Sequence, residues 1–294
     1  MEGVRDLSIR VPWGNVAGKI WGADNHKNVL VVHGVLDNAG SFDRLIPLLP
    51  QNLKYVCIDL PGHGYSSHFD HGLTLNYLNY ILTIRYVLDE LQWDDVYYMG
   101  HSFGAHVGCL FTIVYPGRIK KLILIDGIIP RCIEDENITR KIRHEHDLAI
   151  QAYEKNSQSL YTKDQILYAL KNLRKCALKF DAAEAIFTRS VTRVDDDSFY
   201  YNRDFRARFG IFPYFNQEQN LYLLRHLRAE TLVIFATDTL PFVATVRDEA
   251  KKVLSKLKNV EIVEVKGNHD VHNNYPERIS NYISNFLGRT PSKL

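Results

Sequence analysis

Short apolar runs that alternate with amphipathic stretches constrain the fold of this chain more than any other feature. The runs are rich in Val, Ile and Leu and apolar at nearly every position, which is typical of strands covered on both faces. They span residues 29–33, 55–60, 96–100, 121–126, 231–236 and 260–265, and the main helical stretches between and after them span 74–91, 106–115, 242–257 and 276–287. The alternation predicts an α/β protein with a mostly parallel central sheet flanked by helices.

Two further segments complete the predicted architecture. An N-terminal hairpin around residues 13–15 adds two antiparallel strands. The alternation breaks once, at residues 127–228, where several helix-like stretches occur and no strand is convincing. This segment predicts a helical cap inserted after the sixth strand, over one edge of a core formed by residues 1–126 and 229–294. The aromatic-rich stretch 198–215 is expected to form mainly the core of this cap, whereas some side chains of the cap should line the functional site.

Composition and charge exclude several classes of function. The net charge is only +2 and Lys and Arg are dispersed, so no nucleic acid partner is expected. No apolar run approaches the length of a membrane span. No phosphate-cradling or dinucleotide-binding pattern occurs, so no cofactor is expected. The stretch RHEHD at 143–147 puts its histidines on different helix faces, which indicates a solvated helix rather than a metal site.

The cysteines and the chain ends bear on location. The cysteines are Cys57, Cys109, Cys132 and Cys176. They form no CxxC pair, and the first residues lack the apolar stretch of a secretory signal, so we expect reduced thiols in an intracellular protein. The last residues, Ser292-Lys293-Leu294, match the address that the peroxisomal import receptor reads at a free C-terminus. The expected location is therefore the peroxisome, and otherwise the cytoplasm.

The stretch GHSFGA, residues 100–105, lies where a predicted strand meets a predicted helix. A serine on such a sharp turn is exposed at the carboxyl edge of the sheet, and the glycines beside it allow the turn to be tight. The N-terminus of the following helix presents free backbone N–H groups at the same place. The pattern makes Ser102 a candidate catalytic nucleophile, which needs a base to remove its proton.

A base is expected late in the chain, because proteins that use this turn follow the order serine, acid, histidine. The stretch GNHDVH, residues 267–272, lies in a loop after the last predicted strand. His269 directly follows a Gly-Asn pair in that loop and is the candidate base. His272 is expected to line the site or to cap the final helix.

The remaining parts of such a site are two oxyanion donors and an acid. The backbone N–H of Phe103, directly after the serine, is one expected donor, and that of Val35, in the loop after strand 29–33, is the other. Two aspartates are candidates for the acid, since both follow strands that end at the same edge of the sheet. Asp238 lies at the default position but in an irregular loop, whereas Asp126 ends an earlier strand; the sequence slightly favours Asp238.

Four blocks of sequence carry a resemblance to a known family. They are HGVLDNAGSFDRLIPLL (33–49), DLPGHGYSS (59–67), GHSFGAHVG (100–108) and GNHDVH (267–272). They resemble the blocks of the α/β-hydrolase superfamily, and the likeness covers essentially the whole chain. HGVLDNAGSF, LILIDGI and NRDFRARF are similar to the serine hydrolase-like proteins of animals, a branch with peroxisome-associated members. The resemblance implies an α/β-hydrolase fold, catalytic roles for Ser102 and His269, and a physiological substrate that is poorly defined.

Together these features predict a serine hydrolase that cleaves a small or medium apolar ester or thioester through an acyl-enzyme intermediate. A serine at the turn argues against the dehalogenases and epoxide hydrolases of this fold, which carry an aspartate there. Two alternatives stay open: a weakly active or inactive small-molecule binding protein on the same fold, and a carbon–carbon hydrolase with the same triad. An acid placed against His269 favours an enzyme over a binding protein.

Overall fold

The structure is a computed structural model that describes residues 3–154 and 158–289. In that part of the chain the strands are β1 (Arg5–Val11), β2 (Gly14–Trp21), β3 (Lys27–Val32), β4 (Leu53–Ile58), β5 (Val96–His101), β6 (Ile119–Ile125), β7 (Val191–Arg193), β8 (Phe199–Tyr201), β9 (Glu230–Asp238) and β10 (Val260–Asn268). The α-helices are α1 (Tyr77–Glu90), α2 (Phe103–Val114), α3 (Ile138–Glu154), α4 (Lys163–Asn172), α5 (Phe180–Ser190), α6 (Gln217–Leu224), α7 (Pro241–Leu254), α8 (Val271–Asn274) and α9 (Glu277–Gly288).

An eight-stranded sheet in the order β1-β2-β4-β3-β5-β6-β9-β10 forms the centre of the fold. β1 and β2 form the expected antiparallel hairpin, in which Val11 pairs with Gly14, and β2 pairs antiparallel with β4. All pairings from β4 through β3, β5, β6 and β9 to β10 are parallel. The predicted mostly parallel sheet is therefore confirmed, and each of the six apolar runs is a strand of it.

The central strands are mostly apolar because both faces of the sheet are covered there. In β3, Val29 and Val31 lie in one apolar cluster while Leu30 and Val32 lie in another, and all four are fully buried. Successive side chains of a strand point to opposite faces, so the two clusters are the two sides of the sheet. Parallel strands also end at a common edge, and the loops after β3, β5, β6 and β10 meet there.

The cap lies between β6 and β9 in the sequence and contains α3 to α6. Its apolar centre includes Ile166, Leu170, Ala183 and Ile186. The expectation that this segment holds no strand is wrong, because β7 and β8 form a small antiparallel pair. Strands of three residues are too short to show a period of two, so no sequence pattern marked them. The division of core and cap at residues 127 and 228 stays a prediction.

The cap is attached to the loop after β3. The side-chain amide of Asn38 donates a 2.9 Å hydrogen bond to the carbonyl of Ile186 in α5. A Cβ atom added at Gly40 would lie 2.3 Å from the carbonyl oxygen of Ala185, so α5 packs directly on this loop. This close approach places the cap over the edge of the sheet at which the parallel strands end.

Two further expectations concern membrane-spanning segments and the location of the protein in the cell. Among the described residues, no helix combines the length and apolar character needed to cross a bilayer. The expected peroxisomal address, Ser292-Lys293-Leu294, lies outside the described residues.

Candidate active site

Ser102 occupies the turn between β5 and α2 in a strained backbone conformation. Its φ is +50° and its ψ is −113°, which lies outside the regions that a side chain favours and costs roughly 1–3 kcal/mol. The neighbouring glycines make the turn possible. A Cβ atom added at Gly104 would lie 2.2 Å from the carbonyl oxygen of Val32, and one at Gly100 would lie 2.5 Å from that of Gly104. The turn therefore presents the serine hydroxyl above the edge of the sheet.

His269 follows the last residue of β10 and reaches the serine. Its Nε2 lies 2.8 Å from Oγ of Ser102, which is a normal hydrogen-bond distance. The ring is nearly buried, with 7% of the residue exposed. The structure thus brings together the two residues that the sequence singled out as nucleophile and base.

Asp126 directly follows β6 and lies on the other side of the imidazole. Its Oδ2 is 2.6 Å from Nδ1 of His269, and its Oδ1 accepts a 2.9 Å hydrogen bond from the backbone N–H of Ala236. The hydroxyl of Thr239 also donates to Oδ2. Asp126 is fully buried and has a φ of +46°, so the turn after β6, like that after β5, bends its side chain into the site.

Asp238 lies apart from this arrangement. It is the last residue of β9, is exposed, and pairs in register with Asn268 of β10 rather than contacting the imidazole. The strand continues two residues beyond Ala236, where the sequence had suggested an irregular loop. The slight preference for Asp238 is therefore corrected: the structure pairs Asp126 with His269.

Charge and burial act in opposite directions on His269. Burial disfavours the charged ring, but the hydrogen bond with Asp126 and the charges of Asp126 and Asp270 outweigh burial, so the pKa of His269 is raised above its ordinary value of 6.5. A carboxylate on Nδ1 also selects the tautomer whose Nε2 can accept a proton from Ser102.

The loop after β3 faces the serine with its backbone. Neither the N–H of Val35 nor that of Phe103 has a hydrogen-bond partner among the residues described. His33 holds this loop in place: its Nδ1–H donates to the carbonyl of Gly34 at 2.7 Å, and its Nε2 accepts from the N–H of Leu60 at 2.9 Å. Burial lowers the pKa of His33, which keeps the ring neutral and allows Nε2 to accept. His33 therefore has a structural role in this loop.

Known proteins share this fold and much of this sequence. A family profile described as alpha/beta hydrolase fold matches residues 27–273. Serine hydrolase-like proteins of Mus musculus and Danio rerio are 35% and 34% identical to the chain, over 96% of it and over 95% and 88% of their own lengths. This chain belongs to the α/β-hydrolase family. Within that family it is a serine hydrolase-like member, as the resemblance implied.

Solved structures agree with the assignment. A hypothetical protein of Pseudomonas aeruginosa superposes on the hydrolase with a TM-score of 0.82 at 26% identity, covering 96% of this chain and 97% of the other. A thioesterase domain from the curacin biosynthetic pathway has a TM-score of 0.79 at 20% identity, over 96% and 99% of the two chains. The second likeness shows the shared fold alone. The predicted α/β-hydrolase fold is confirmed.

A pair of buried histidines supports the loop of this hydrolase that carries His269. His101 donates from Nε2 to the carbonyl of His269 at 2.9 Å, and its ring stacks on that of His272 at 3.9 Å between centroids. Burial lowers the pKa of His101 to about 4 and that of His272 well below 6.5, so both rings are neutral. His272, which the sequence placed in the site lining or at a helix cap, lies buried between His101 and Phe42.

An arginine of the cap joins the two loops that frame the serine. Arg174 donates to Asp37, in the loop after β3, at 2.7 Å and to Asp270, beside His269, at 3.0 Å. Both carboxylates are almost fully buried. The sequence contained no signal for this triad, because its members are 137 and 96 residues apart and belong to no common motif.

A cavity of about 1210 Å³ opens above Ser102 between core and cap. Its apolar and aromatic lining includes Tyr168, Leu170, Leu173, Tyr201, Phe209 and Phe212. All six lie in the segment 127–228, some side chains of which were expected to line the site. The last three come from the aromatic-rich stretch, which was expected to form mainly the core of the cap. The cavity is large enough for a medium-sized organic substrate.

In the described residues, two clusters each place three possible metal-ligand atoms close together. One consists of Asp37, His101 and Asp270, and the other of His68, His71 and Asp204. In each cluster an arginine already binds a carboxylate: Arg174 in the first and Arg206, at 2.6 Å from Asp204, in the second. A guanidinium among the ligands disfavours a cation, so the clusters are better explained as ion-pair networks. The histidines of the stretch 143–147 lie exposed on α3.

Proposed function

We propose that this hydrolase cleaves an ester or thioester through a covalent acyl-enzyme. Ser102 is the nucleophile, His269 the base and Asp126 the acid that orients it. The observation that carries the proposal is the continuous hydrogen-bonded chain from Oγ of Ser102 to Nε2 of His269 and from Nδ1 of His269 to Asp126, with separations of 2.8 Å and 2.6 Å. This is the geometry that activates a serine hydroxyl.

In the first half of the reaction, Oγ of Ser102 attacks the substrate carbonyl while Nε2 of His269 takes the hydroxyl proton. The carbonyl oxygen becomes an oxyanion, and the N–H groups of Val35 and Phe103 are available to bind it. The tetrahedral intermediate collapses when its bond to the leaving oxygen or sulfur breaks. His269 returns its proton to that leaving group, and the acyl group stays on Ser102.

In the second half, water replaces the leaving group. His269, again neutral, takes a proton from the water as its oxygen attacks the acyl carbonyl. The second oxyanion forms in the same place, the bond to Oγ breaks, and Oγ takes the proton from His269. The products are the free acid and the original enzyme, so no cofactor takes part in the cycle.

The lining of the cavity supports an acyl substrate with an apolar part. Leu170, Leu173 and Phe209 offer apolar surface in the cavity that also contains Ser102. The alternative of a binding protein without catalysis is not favoured, because a buried acid lies against His269.

Labelling with a fluorophosphonate probe tests the proposal directly. We expect the wild-type protein to be labelled, Ser102→Ala to lose the label, and Ser255→Ala, which changes a serine at the exposed end of α7, to keep it. Release of p-nitrophenol from neutral esters of increasing chain length, and of thiol from acyl thioesters, then defines the substrate. A folded wild-type protein that neither reacts with the probe nor hydrolyses any ester or thioester would falsify the proposal.

The peroxisomal location stays a proposal that rests on sequence alone. A fluorescent protein fused before residue 1 leaves Ser292-Lys293-Leu294 at the end of the chain, whereas one fused after residue 294 blocks it. We expect the first fusion to enter peroxisomes and the second to stay in the cytoplasm. Equal distribution of the two fusions would contradict the proposal.

A further inference from the structure

Arg203, on the wall of the cavity above Ser102, has no acidic partner among the described residues. Its half-buried guanidinium stacks on the ring of Tyr201 at 4.1 Å and makes no hydrogen bond or ion pair within that part of the chain. The cap's other buried arginines differ. Arg189 binds Asp59 at 2.6 Å, and Arg206 binds Asp204 at the same distance. Arg203 is therefore the exception in a cap that otherwise neutralises its buried arginines.

A guanidinium withdrawn from water is costly when no anion compensates it. Burial, the largest influence, lowers the pKa of Arg203, and the positive charges of Arg208 and Arg174 lower it further, whereas Tyr201 and Asp37 oppose this. Tyr201 offers its ring face, which attracts the cation more weakly than a carboxylate does. The site thus holds a positive charge that no carboxylate of the described residues neutralises.

Further positively charged side chains lie around Arg203. Arg208 and Arg131 line the serine cavity with it, and Arg208 also lacks a carboxylate partner among the described residues. Three carboxylates of the described chain line this cavity, but Asp37 and Asp270 are bound by Arg174, which leaves the exposed Asp164. The cavity above the serine is therefore electropositive.

Arg203 and Arg208 also line a second cavity of about 710 Å³ that adjoins the first. Tyr161 and Tyr201 are shared by the two cavities as well, so these four side chains form the wall between them. The two arginines therefore share one cavity with Ser102 and also line its neighbour.

We propose that Arg203 and Arg208 form an anion subsite that binds a carboxylate or phosphate of the substrate while Ser102 attacks its ester or thioester carbonyl. The inference rests on the proposed function and narrows its substrate class from esters and thioesters in general to those that carry an anionic group. The planar guanidinium of Arg203 can donate two parallel hydrogen bonds to either anion. The anion belongs either to the far end of the acyl chain or to the leaving group.

Two matched substrate pairs separate these sources. p-Nitrophenyl hydrogen adipate differs from p-nitrophenyl hexanoate by a carboxylate at the end of the acyl chain, and S-butanoyl phosphopantetheine differs from S-butanoyl pantetheine by a phosphate on the leaving group. We expect one anionic substrate to exceed its neutral counterpart in kcat/KM by roughly 10- to 100-fold, chiefly through KM, as a charge-assisted hydrogen bond provides. The preference should fall in 1 M salt.

Variants then assign the preference to the subsite. Arg203→Gln should abolish the preference for the anionic substrate, and Arg203→Lys should restore part of it. Arg208→Gln, at an exposed position that tolerates substitution, should reduce it several-fold. Arg193→Gln is the matched control, because that arginine lies exposed on β7 and is not part of either cavity wall.

Binding to the inactive Ser102→Ala protein separates this inference from the proposed function. Calorimetry with the two pantetheine thioesters and the two p-nitrophenyl esters measures the preference for the anionic ligand without turnover. A tighter anionic ligand supports the subsite even if the wild type hydrolyses nothing, in which case only the proposed function fails. Equal binding within each pair, or an Arg203→Gln variant that loses neutral and anionic substrates alike, overturns the subsite. If Arg203→Gln does not fold, Arg208→Gln and the salt dependence decide the outcome.

Discussion

The carboxylate of Asp126 lies 2.6 Å from Nδ1 of His269, across 143 residues of sequence. The carboxylate cannot turn away easily, because the backbone N–H of Ala236 binds one oxygen and the hydroxyl of Thr239 binds the other. A fully buried acid held at several points fixes the orientation of the imidazole before substrate arrives. Such preorganisation is what a general base needs in order to act without rearrangement.

Replacement of this acid should remove most of the activity. In Asp126→Asn the amide offers the wrong partner to Nδ1, so the tautomer that accepts the proton of Ser102 is lost, and kcat should fall by about 10³- to 10⁴-fold. Asp238→Asn is the matched control and should stay within about 2-fold of the wild type, since Asp238 is exposed at the end of β9. Ester hydrolysis and fluorophosphonate labelling of both variants measure the difference. A larger loss in Asp238→Asn than in Asp126→Asn would reverse the assignment.

The pH dependence of the reaction should report on the same pair. His269 must be neutral to accept a proton, and the hydrogen bond with Asp126 outweighs burial and raises its pKa above 6.5. The kcat/KM of a neutral ester should therefore fall as the pH drops through a value above 6.5. In Asp126→Asn the remaining kcat/KM should fall at a lower pH, because burial then lowers the pKa of His269 without the opposing carboxylate. A fall in the kcat/KM of the wild type with an apparent pKa at or below 6.5 contradicts the proposed role of His269 as the base.

Features encoded within a short stretch of sequence could be predicted. The apolar runs predicted the sheet because a strand buried on both faces needs apolar residues at every position. The glycines around Ser102 predicted its turn, since a Cβ at Gly104 would collide with the backbone of β3. His269 was recognised in the same way, from a short loop that follows the last strand.

Contacts between distant segments could not be predicted. Whether Asp126 or Asp238 meets His269 depends on how far β9 extends before it ends, and the sequence of that loop did not determine this. The ion pairs of Arg174 and the stack of His101 on His272 depend on tertiary packing in the same sense. The fold and two of the three residues of the hydrogen-bonded Ser102–His269–Asp126 arrangement were therefore accessible from sequence, whereas the network that supports them was not.

Removal of the arginine that joins the two active-site loops should destabilise the protein. Arg174→Gln leaves Asp37 and Asp270 buried without their partner, and breaking a buried ion pair in this way costs about 3–5 kcal/mol. The change should appear as a lower midpoint in urea unfolding. Arg193→Gln, which breaks an exposed ion pair with Asp196, should change the unfolding free energy by less than about 1 kcal/mol. Equal effects of the two substitutions would show that the ion pairs of Arg174 contribute no more to the unfolding free energy than an exposed ion pair does.

A single methyl group at the serine turn should damage both stability and activity. In Gly104→Ala the new Cβ would lie 2.2 Å from the backbone oxygen of Val32, which cannot move without disturbing β3. Such overpacking costs about 1–3 kcal/mol, and it displaces the N–H of Phe103 next to the serine. Gly288→Ala, where nothing lies within 4 Å of the new Cβ, should be neutral or stabilising by up to about 1 kcal/mol. Thermal unfolding and ester hydrolysis of the two variants provide the comparison.

The buried histidines should make the fold sensitive to acid. His272 is fully buried, and burial is the largest of the causes that lower its pKa well below 6.5. The unfolded chain therefore binds a proton more readily than the native state, so the free energy of unfolding falls as the pH drops below about 6.5.

Replacement of that ring by an apolar one of similar shape should reduce the acid sensitivity. Neither nitrogen of His272 has a hydrogen-bond partner among the described residues, so His272→Phe sacrifices no polar contact there. The unfolding free energy of the wild type should fall more than that of the variant between pH 7.5 and pH 5, by roughly 2 kcal/mol. This difference corresponds to about 1.4 kcal/mol for each pH unit below the pKa of the histidine in the unfolded chain. His146→Gln, at an exposed site on α3, should follow the wild type. Urea titrations at several pH values measure these slopes, and identical slopes for His272→Phe and the wild type would mean that His272 does not contribute to the acid sensitivity.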